Sequence, residues 1–163
     1  MYGNILLPTD GLGACVHGTC HGVVLARSLG AKVTAVCVTK HLSLQEILRA
    51  YHPETEWRAE YSRKAPEVVE QARRIHEELT DKALEVAEKM CADSGVACEK
   101  VRFEDEDAAE GLLRAAEKEG CDLIFVSTHG NPGILGRMFG TLATKIVANS
   151  KIPVLVHHCG GPA

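Results

Sequence analysis

Short apolar runs alternate along the chain with longer segments that carry apolar residues at helical spacing. Such runs are typical of strands buried on both faces, and the predicted strands cover residues 4–9, 32–39, 97–103, 122–127 and 152–156. Strands that are separated by helices pair in parallel, with the helices on both faces of the sheet. The alternation therefore predicts an α/β fold, a doubly wound five-stranded parallel sheet, in a single domain over residues 1–163.

The predicted helices cover residues 14–29, 66–92, 107–119 and 141–149. The first three are followed by Gly30, Gly95 and Gly120, and Gly is the residue that most often follows a helix C-terminus. The longest helix carries apolar residues along one face, which we predict to be the buried one: Val68, Ala72, Ile75, Leu79, Ala83, Val86 and Met90. Residues 40–65 are the least regular part, and we predict a charged surface excursion there with one short helix within 44–51.

Charge and hydropathy exclude several classes of partner. The net charge is −4 with no run rich in Lys or Arg, so binding to nucleic acid is not expected. No apolar run approaches the roughly 18 residues that a membrane span needs. No targeting segment precedes the first strand, and a cytoplasmic location without membrane contact is therefore predicted. The 7 cysteines are odd in number and irregularly spaced, and we expect them to be thiols.

A Gly-rich stretch from Ser127 to Thr141 follows the fourth predicted strand and leads into the last helix. Gly130 and Gly140 allow the backbone to approach a ligand closely, and the start of the helix favours phosphate through its free N–H groups and its dipole. Ligands of parallel sheets bind beyond the carboxyl ends of the strands, where Asp10 also lies. On spacing alone, a plain Gly-rich connection explains the stretch equally well, and Asp10 can equally close a turn or cap the next helix.

The same stretch resembles the universal stress protein motif, Gly-x2-Gly-x9-Gly-Ser/Thr. Gly130 and Gly140-Thr141 match its later part, with nine residues between them. Further segments are similar to this family: Pro8-Thr9-Asp10-Gly11, Val36-Cys37-Val38, Asp122-Leu123-Ile124 and Pro153-Val154-Leu155-Val156. The resemblance covers nearly the whole chain and implies a Rossmann-like fold of the adenine nucleotide alpha hydrolase-like type. It departs at one point, because Ser127 stands where the motif has its first Gly.

The resemblance implies an adenine nucleotide, ATP or AMP, as the ligand. Asp10 matches the acidic residue that contacts the adenosine, and the positions that line the base are Pro8, Thr9 and Val38. The positions that match ribose and phosphate contacts are His129, Gly130, Gly140 and Thr141. Ser127 belongs to the same site, where its hydroxyl either donates to an oxygen of the ligand or its Cβ crowds the ligand.

The family resemblance also implies a homodimer that pairs through the last strand. Val154, Leu155 and Val156 give this strand an apolar edge, and an edge strand exposes unpaired backbone groups unless it is covered. The predicted function is that of a nucleotide-binding regulatory protein of the stress-response type. A second hypothesis is a dimeric scaffold that binds no nucleotide, and Ser127 is the feature that separates the two.

Catalysis is not predicted. No Ser-His-Asp order, no Gly-x-Ser-x-Gly and no paired-carboxylate pattern is identifiable in the sequence. His129 can orient a water near a γ-phosphate, but a ribose or phosphate contact explains it more simply. Slow ATP hydrolysis is left open and is not expected to define the protein.

A third hypothesis, a metal or redox sensor, rests on two groups of thiols and imidazoles. Cys15, His17, Cys20 and His21 lie at the start of the first predicted helix, and His157, His158 and Cys159 follow the last predicted strand. In a parallel sheet these two places face the same edge, and Cys and His are ligands suited to zinc. Because no closed four-ligand set is apparent, no residue is assigned to a metal. The alternative is that Cys20 is a core residue and the histidines lie on the surface.

Overall fold

The computed structural model describes residues 1–10, 13–40, 58–128 and 141–159. Its strands are β1 (Asn4–Pro8), β2 (Lys32–Thr39), β3 (Cys98–Glu104), β4 (Leu123–Thr128) and β5 (Val154–His158). Its helices are α1 (Gly13–Leu29), α2 (Arg58–Asp93), α3 (Ala108–Lys118) and α4 (Thr141–Asn149). Strands and helices alternate along the described chain, which confirms the predicted α/β class.

All the strands form one parallel five-stranded sheet in the order β3-β2-β1-β4-β5. The chain winds outward from β1 to β3, returns to the centre, and winds the other way through β4 to β5, so its winding direction reverses between β1 and β4. These two central strands pair only briefly, Ile5 with Leu123 and Leu6 with Ile124. By contrast, β1 pairs with β2 along all 5 of its residues. The carboxyl ends of β1 and β4 are therefore unpaired with each other, as expected at a switch point of the winding.

Each face of the sheet buries its own aliphatic core. Ile5 and Leu7 of β1 face α1 and α2, where they pack with Val23, Leu84 and Cys91. Leu6 faces the opposite side and packs with α3 and α4, mainly through Leu112, Ala116 and Ile146. Because both faces are covered at the centre of the sheet, neighbouring residues of β1, β2 and β4 are mostly buried, and these strands are apolar runs in the sequence. The edge strand β3 instead carries charged residues between its apolar ones.

The predicted ends of three helices are confirmed. Gly30, Gly95 and Gly120 follow α1, α2 and α3 with φ values of 66°, 69° and 63°, in the left-handed region that favours Gly. The predicted start of α3 is confirmed as well. The Asp107 carboxylate accepts hydrogen bonds from the backbone N–H groups of Ala109 and Glu110 and so caps the helix.

Helix α2 begins at Arg58 and not at Pro66 as predicted, so Pro66 lies inside the helix. Residues 58–65 lack a hydrophobic period, so the sequence predicts no helix there. Their Arg, Ala, Glu, Tyr and Lys residues nevertheless have adequate helix propensity, and a polar stretch can be helical without an apolar face. The rest of the excursion, with the short helix predicted within 44–51, lies outside the described residues.

The predicted buried face of α2 is wrong in part. Ile75, Leu79 and Val86 are exposed, with 42%, 57% and 40% of their surface accessible. Ala83 is buried as predicted, and the other buried positions are Thr80, Leu84, Ala87 and Cys91, which also recur at helical spacing. Small side chains let α2 approach the sheet closely. The larger apolar residues on which the prediction was based form a neighbouring stripe of the helix.

Strand β5 begins two residues later than predicted and includes His157 and His158. The thiol prediction holds for the six cysteines that the structure describes at side-chain level, all of which are free: Cys20, Cys37, Cys91, Cys98, Cys121 and Cys159. Among the described residues, no helix has the length and apolar character needed to cross a bilayer.

Candidate functional site

The end of β1 presents two of the predicted site residues at the carboxyl edge of the sheet. The Thr9 N–H donates to the Val36 carbonyl oxygen at 2.9 Å, so Thr9 continues the sheet beyond Pro8 and is buried. Asp10 comes next and is exposed. This chain path brings a carboxylate to the solvent side of the switch point.

Val38 is the last residue but one of the neighbouring strand β2 and is half-buried against the core under α3. Gly111 of α3 lies directly over it. A Cβ at Gly111 would lie 2.7 Å from Val38 Cγ1 and 2.9 Å from Asp105 Cβ, closer than real atoms pack. Gly111 looks like a weakness in a helix when only the sequence is considered, but it lets α3 contact the end of β2 and so holds Val38 in place. The feature of the sequence that could have indicated this close contact is a Gly within a well-formed helical pattern.

Ser127 and Thr128 end β4, next to β1 in the sheet. Ser127 is half-buried and faces α1, where Gly18 leaves room for it, because a Cβ at Gly18 would lie 2.2 Å from Ser127 Oγ. The Ser127 side chain is thus accommodated between strand and helix. Thr128 is buried, and its carbonyl oxygen accepts a hydrogen bond from the Cys159 N–H at 3.0 Å.

The chain re-enters the described part at Thr141, which is exposed at the first position of α4. Free N–H groups of a first helical turn are suited to an anion. Lys145, one turn later, donates to the Asp107 carboxylate and so ties α4 to the start of α3. This ammonium group, with the N–H groups of Glu110 and Ala109, holds the pKa of Asp107 below its usual range. The predicted site residues His129, Gly130 and Gly140 lie outside the described residues.

The predicted site residues that the structure describes lie in two places. The structure brings Pro8, Thr9, Asp10, Val38 and Ser127 to the carboxyl ends of three adjacent strands, and Thr141 to the start of α4. Their roles toward a ligand remain a prediction. Gly18 and Gly111, which position two of these residues, were not predicted.

A cluster of imidazoles and a thiol lies on the α1 side of the same edge. Each of three residues offers one possible ligand atom, and these atoms lie within 4.8 Å of one another: His17, His157 and Cys159. The His21 ring lies beside them, 4.8 Å from the His17 ring and 4.2 Å from the His157 ring between centroids. The predicted proximity of the helix start and the strand end is therefore confirmed for these residues. Cys20 is exposed, which contradicts the alternative that it is a core residue.

His157 is the most enclosed imidazole of this cluster. Its ring also stacks on Phe125 of β4 with the centroids 5.9 Å apart. Burial lowers the pKa of His157, and the nearby His21, His17 and His158 lower it further by charge repulsion. The ring therefore favours its neutral form, in which one nitrogen carries a lone pair.

A sequence model of the universal stress protein family matches residues 1–158. The chain belongs to the universal stress protein family. A curated relative, universal stress protein MJ0531 of Methanocaldococcus jannaschii, is 28% identical over 156 residues, which are 96% of this chain and 82% of the relative.

Solved structures share the fold of this chain. The structure of the hypothetical protein MJ0577 superposes with a TM-score of 0.71 at 22% identity and covers 97% of this chain and 96% of that one. A universal stress protein described in complex with cAMP gives a TM-score of 0.63 at 18% identity, over 96% and 97% of the two chains. A family protein from Arabidopsis thaliana, described with AMP bound, gives 0.64 at 15% identity, over 96% and 91%.

Proposed function

We propose that this protein binds an adenine nucleotide, ATP or AMP, at the carboxyl edge of the sheet between β1 and β4. The observation that carries the proposal is the reversal of the winding at this point, with Asp10 exposed beside it. Two structural neighbours are described with cAMP and AMP, which supports an adenine nucleotide as the ligand class.

The residues around this edge offer the chemistry that a nucleotide needs. The Asp10 carboxylate is suited to accept hydrogen bonds from the hydroxyl groups of a ribose, and Val38 and Pro8 give a partly apolar wall for a base. The start of α4 at Thr141 provides free N–H groups and a hydroxyl for phosphate. Within this proposal, His129, Gly130 and Gly140 contact ribose and phosphate.

The proposed role is regulatory and not enzymatic. Nucleotide occupancy would change the surface at the carboxyl edge and thereby the partner that the protein binds. A cytoplasmic location, where adenine nucleotides are available, belongs to the same proposal.

A homodimer through β5 is the second part of the proposed function. Strand β5 lies at the edge of the sheet and pairs with β4 alone among the described strands. Leu155 is 37% exposed there, and Val154 and Val156 are half-buried. Pairing with a second copy would cover this apolar edge and its backbone groups.

The nucleotide proposal is tested by release and titration. The purified protein is denatured, and the supernatant is chromatographed for ATP and AMP. The refolded or nucleotide-free protein is then titrated with each by calorimetry. Asp10→Asn is expected to weaken binding by about 10- to 100-fold, because a hydrogen bond to a charged group contributes about 1.5–3 kcal/mol.

Asp93→Asn is the matched control, because Asp93 is an exposed carboxylate at the end of α2 and pairs only with Lys89 among the described residues. It should bind like wild type. If neither ATP nor AMP is released or bound at micromolar concentration, the nucleotide proposal is wrong. If the same sample is nevertheless a dimer, the scaffold hypothesis takes its place.

The dimer proposal is tested by light scattering on the eluate of a size-exclusion column. Leu155→Lys is expected to convert the dimer to a monomer, because the charge would be buried in the interface. Leu79→Lys is the matched control, since Leu79 is an exposed leucine on α2. Dissociation by Leu79→Lys and not by Leu155→Lys would move the interface from β5 to α2.

A further inference from the structure

Three side chains of the kinds that bind metal ions converge at the carboxyl edge of the sheet, on the side covered by α1. His17 projects from α1, whereas His157 and Cys159 come from β5 and the residue just after it. The Cys159 N–H continues the ladder with β4 by donating to the Thr128 carbonyl oxygen. Side chains two residues apart in a strand share a face, so His157 and Cys159 both face α1. One ligand atom of each of the three residues lies within 4.8 Å of the others.

The second observation concerns a buried nitrogen atom of His157. His157 Nε2 is buried and has no hydrogen-bond partner in the part of the chain that the structure describes. Buried polar nitrogens nearly always have a partner, so such an atom indicates a ligand, an ion or a water. Cys159 is only 6% exposed, so its thiol is also withdrawn from bulk solvent.

We propose that His17, His157 and Cys159 bind one Zn²⁺ ion. Imidazole nitrogen and thiolate sulfur are the ligands that zinc prefers, and three protein ligands with one open position are a known zinc arrangement. The site goes beyond the proposed nucleotide binding, since it uses none of the residues assigned to the nucleotide.

The separation of the three atoms is compatible with this assignment. Bonds of about 2.0–2.3 Å place the ligand atoms of a tetrahedral zinc site roughly 3.3–3.7 Å apart. The three ligand atoms lie within 4.8 Å of one another, so they must approach one another by about 1 Å when zinc binds. His17 is exposed and free of core packing, so its side chain can rotate to close the site, whereas Cys159 is held by the sheet. The fourth position is left for a water or for His21, whose ring lies 4.2 Å from that of His157.

The experiment is a titration of the metal-free, reduced protein with Zn²⁺ by calorimetry and with Co²⁺ by absorption. Co²⁺ takes the same ligands and gives a thiolate-to-metal charge-transfer band only when a cysteine is bound. We expect one ion per chain, a Co²⁺ spectrum with this band, and a Tm that rises with Zn²⁺ because the ion binds the folded state. His17→Ala and Cys159→Ser are each expected to weaken zinc binding by at least about 10-fold.

Two control variants come from the same elements. Cys20→Ser removes an exposed thiol of α1, and His158→Ala removes the imidazole that lies between the two strand ligands on the opposite face. Both should bind Zn²⁺ like wild type. Because His17 is exposed, His17→Ala is expected to fold, so its binding can be measured even if Cys159→Ser is unstable. A wild-type protein that binds no Zn²⁺, a Co²⁺ spectrum without the thiolate band, or unchanged binding in His17→Ala would each overturn the proposal.

Discussion

Gly18 of α1 lies directly against Ser127 of β4. A Cβ at Gly18 would lie 2.2 Å from Ser127 Oγ and 2.3 Å from Ser127 Cβ, distances that no real pair of atoms adopts. The family motif has Gly at the position of Ser127, so this chain carries a side chain where the motif has none. The facing helix lacks one at the contact point, and the close packing of α1 on the sheet is compatible with Ser127 for that reason.

This relationship predicts coupling between the two positions in folding stability. Gly18→Ala should lower the free energy of unfolding by about 1–3 kcal/mol, because the added methyl group must displace Ser127 or the helix. In a Ser127→Gly background the same change should be neutral or stabilising by up to about 1 kcal/mol, since Ala is the better helix former once the clash is gone. Urea denaturation of the four variants measures both effects.

A double-mutant cycle over these variants should give a coupling energy of at least about 1 kcal/mol. The control is Ser28→Ala, because Ser28 lies on the same helix and is exposed, so this change should show no coupling with Ser127→Gly. Equal costs of Gly18→Ala in both backgrounds would contradict the packing described here.

The same packing predicts a small effect of Ser127→Gly on nucleotide affinity. The Ser127 side chain faces α1, so its removal should neither relieve crowding of the ligand nor delete an essential donor. The dissociation constant for AMP or ATP is expected to change by no more than about threefold, which corresponds to less than about 1 kcal/mol. Calorimetric titration measures it. A tenfold gain in affinity would show instead that Ser127 crowds the ligand.

Most of the fold could be predicted from the sequence because its determinants are local. Strands β1, β2 and β4 are mostly apolar runs, since both faces of the sheet are covered there. Gly30, Gly95 and Gly120 mark helix ends by their backbone conformation. The buried face of α2 could not be predicted in the same way. Its rotation depends on how closely small residues such as Ala87 let it approach the sheet, and that is a property of the packed structure.

The site was predictable to a similar extent. The carboxyl ends of parallel strands and the helix starts that follow them lie at one edge of the sheet. This rule correctly predicted that Asp10 and Ser127 share an edge and that His17 lies near Cys159. The supporting glycines were missed because a Gly within a helix is unfavourable in isolation, and its reason appears only when the facing side chain is known. The alternative that Cys20 is a core residue is wrong, because the helix turns it toward solvent.

Gly111→Ala tests whether α3 positions the candidate base wall. The added Cβ would lie 2.7 Å from Val38 Cγ1, so Val38 must move or α3 must shift outward. We expect a loss of about 1–3 kcal/mol in the free energy of unfolding and a weaker affinity for the nucleotide. A Val38→Ala background should recover part of the stability, because the nearest clash is removed. Full stability of Gly111→Ala alone would contradict this account.

Asp122 gives a prediction for the dependence of stability on pH. Its carboxylate accepts hydrogen bonds from the N–H groups of Gly3 and Asn4 at 2.7 and 3.0 Å and so ties the start of β1 to β4. Burial acts to raise the pKa of Asp122, but these two hydrogen bonds, a third from its own N–H and the nearby N-terminal charge together outweigh it, and the pKa is lowered. The folded state therefore favours the charged form. Its stabilisation is fully present above the unfolded pKa of about 3.9 and is lost as the pH falls through the lower folded value.

Asp122→Ala should accordingly cost about 1–2 kcal/mol at neutral pH, and the cost should shrink in acid, as the wild-type carboxylate becomes protonated. Urea denaturation at pH 7 and at about pH 3 measures the two differences. Asp93→Ala is the control, since its exposed ion pair with Lys89 should contribute less than about 0.5 kcal/mol at either pH. A cost for Asp122→Ala that stays constant from neutral pH down to the acid limit of folding would assign the effect to lost packing and not to the charge.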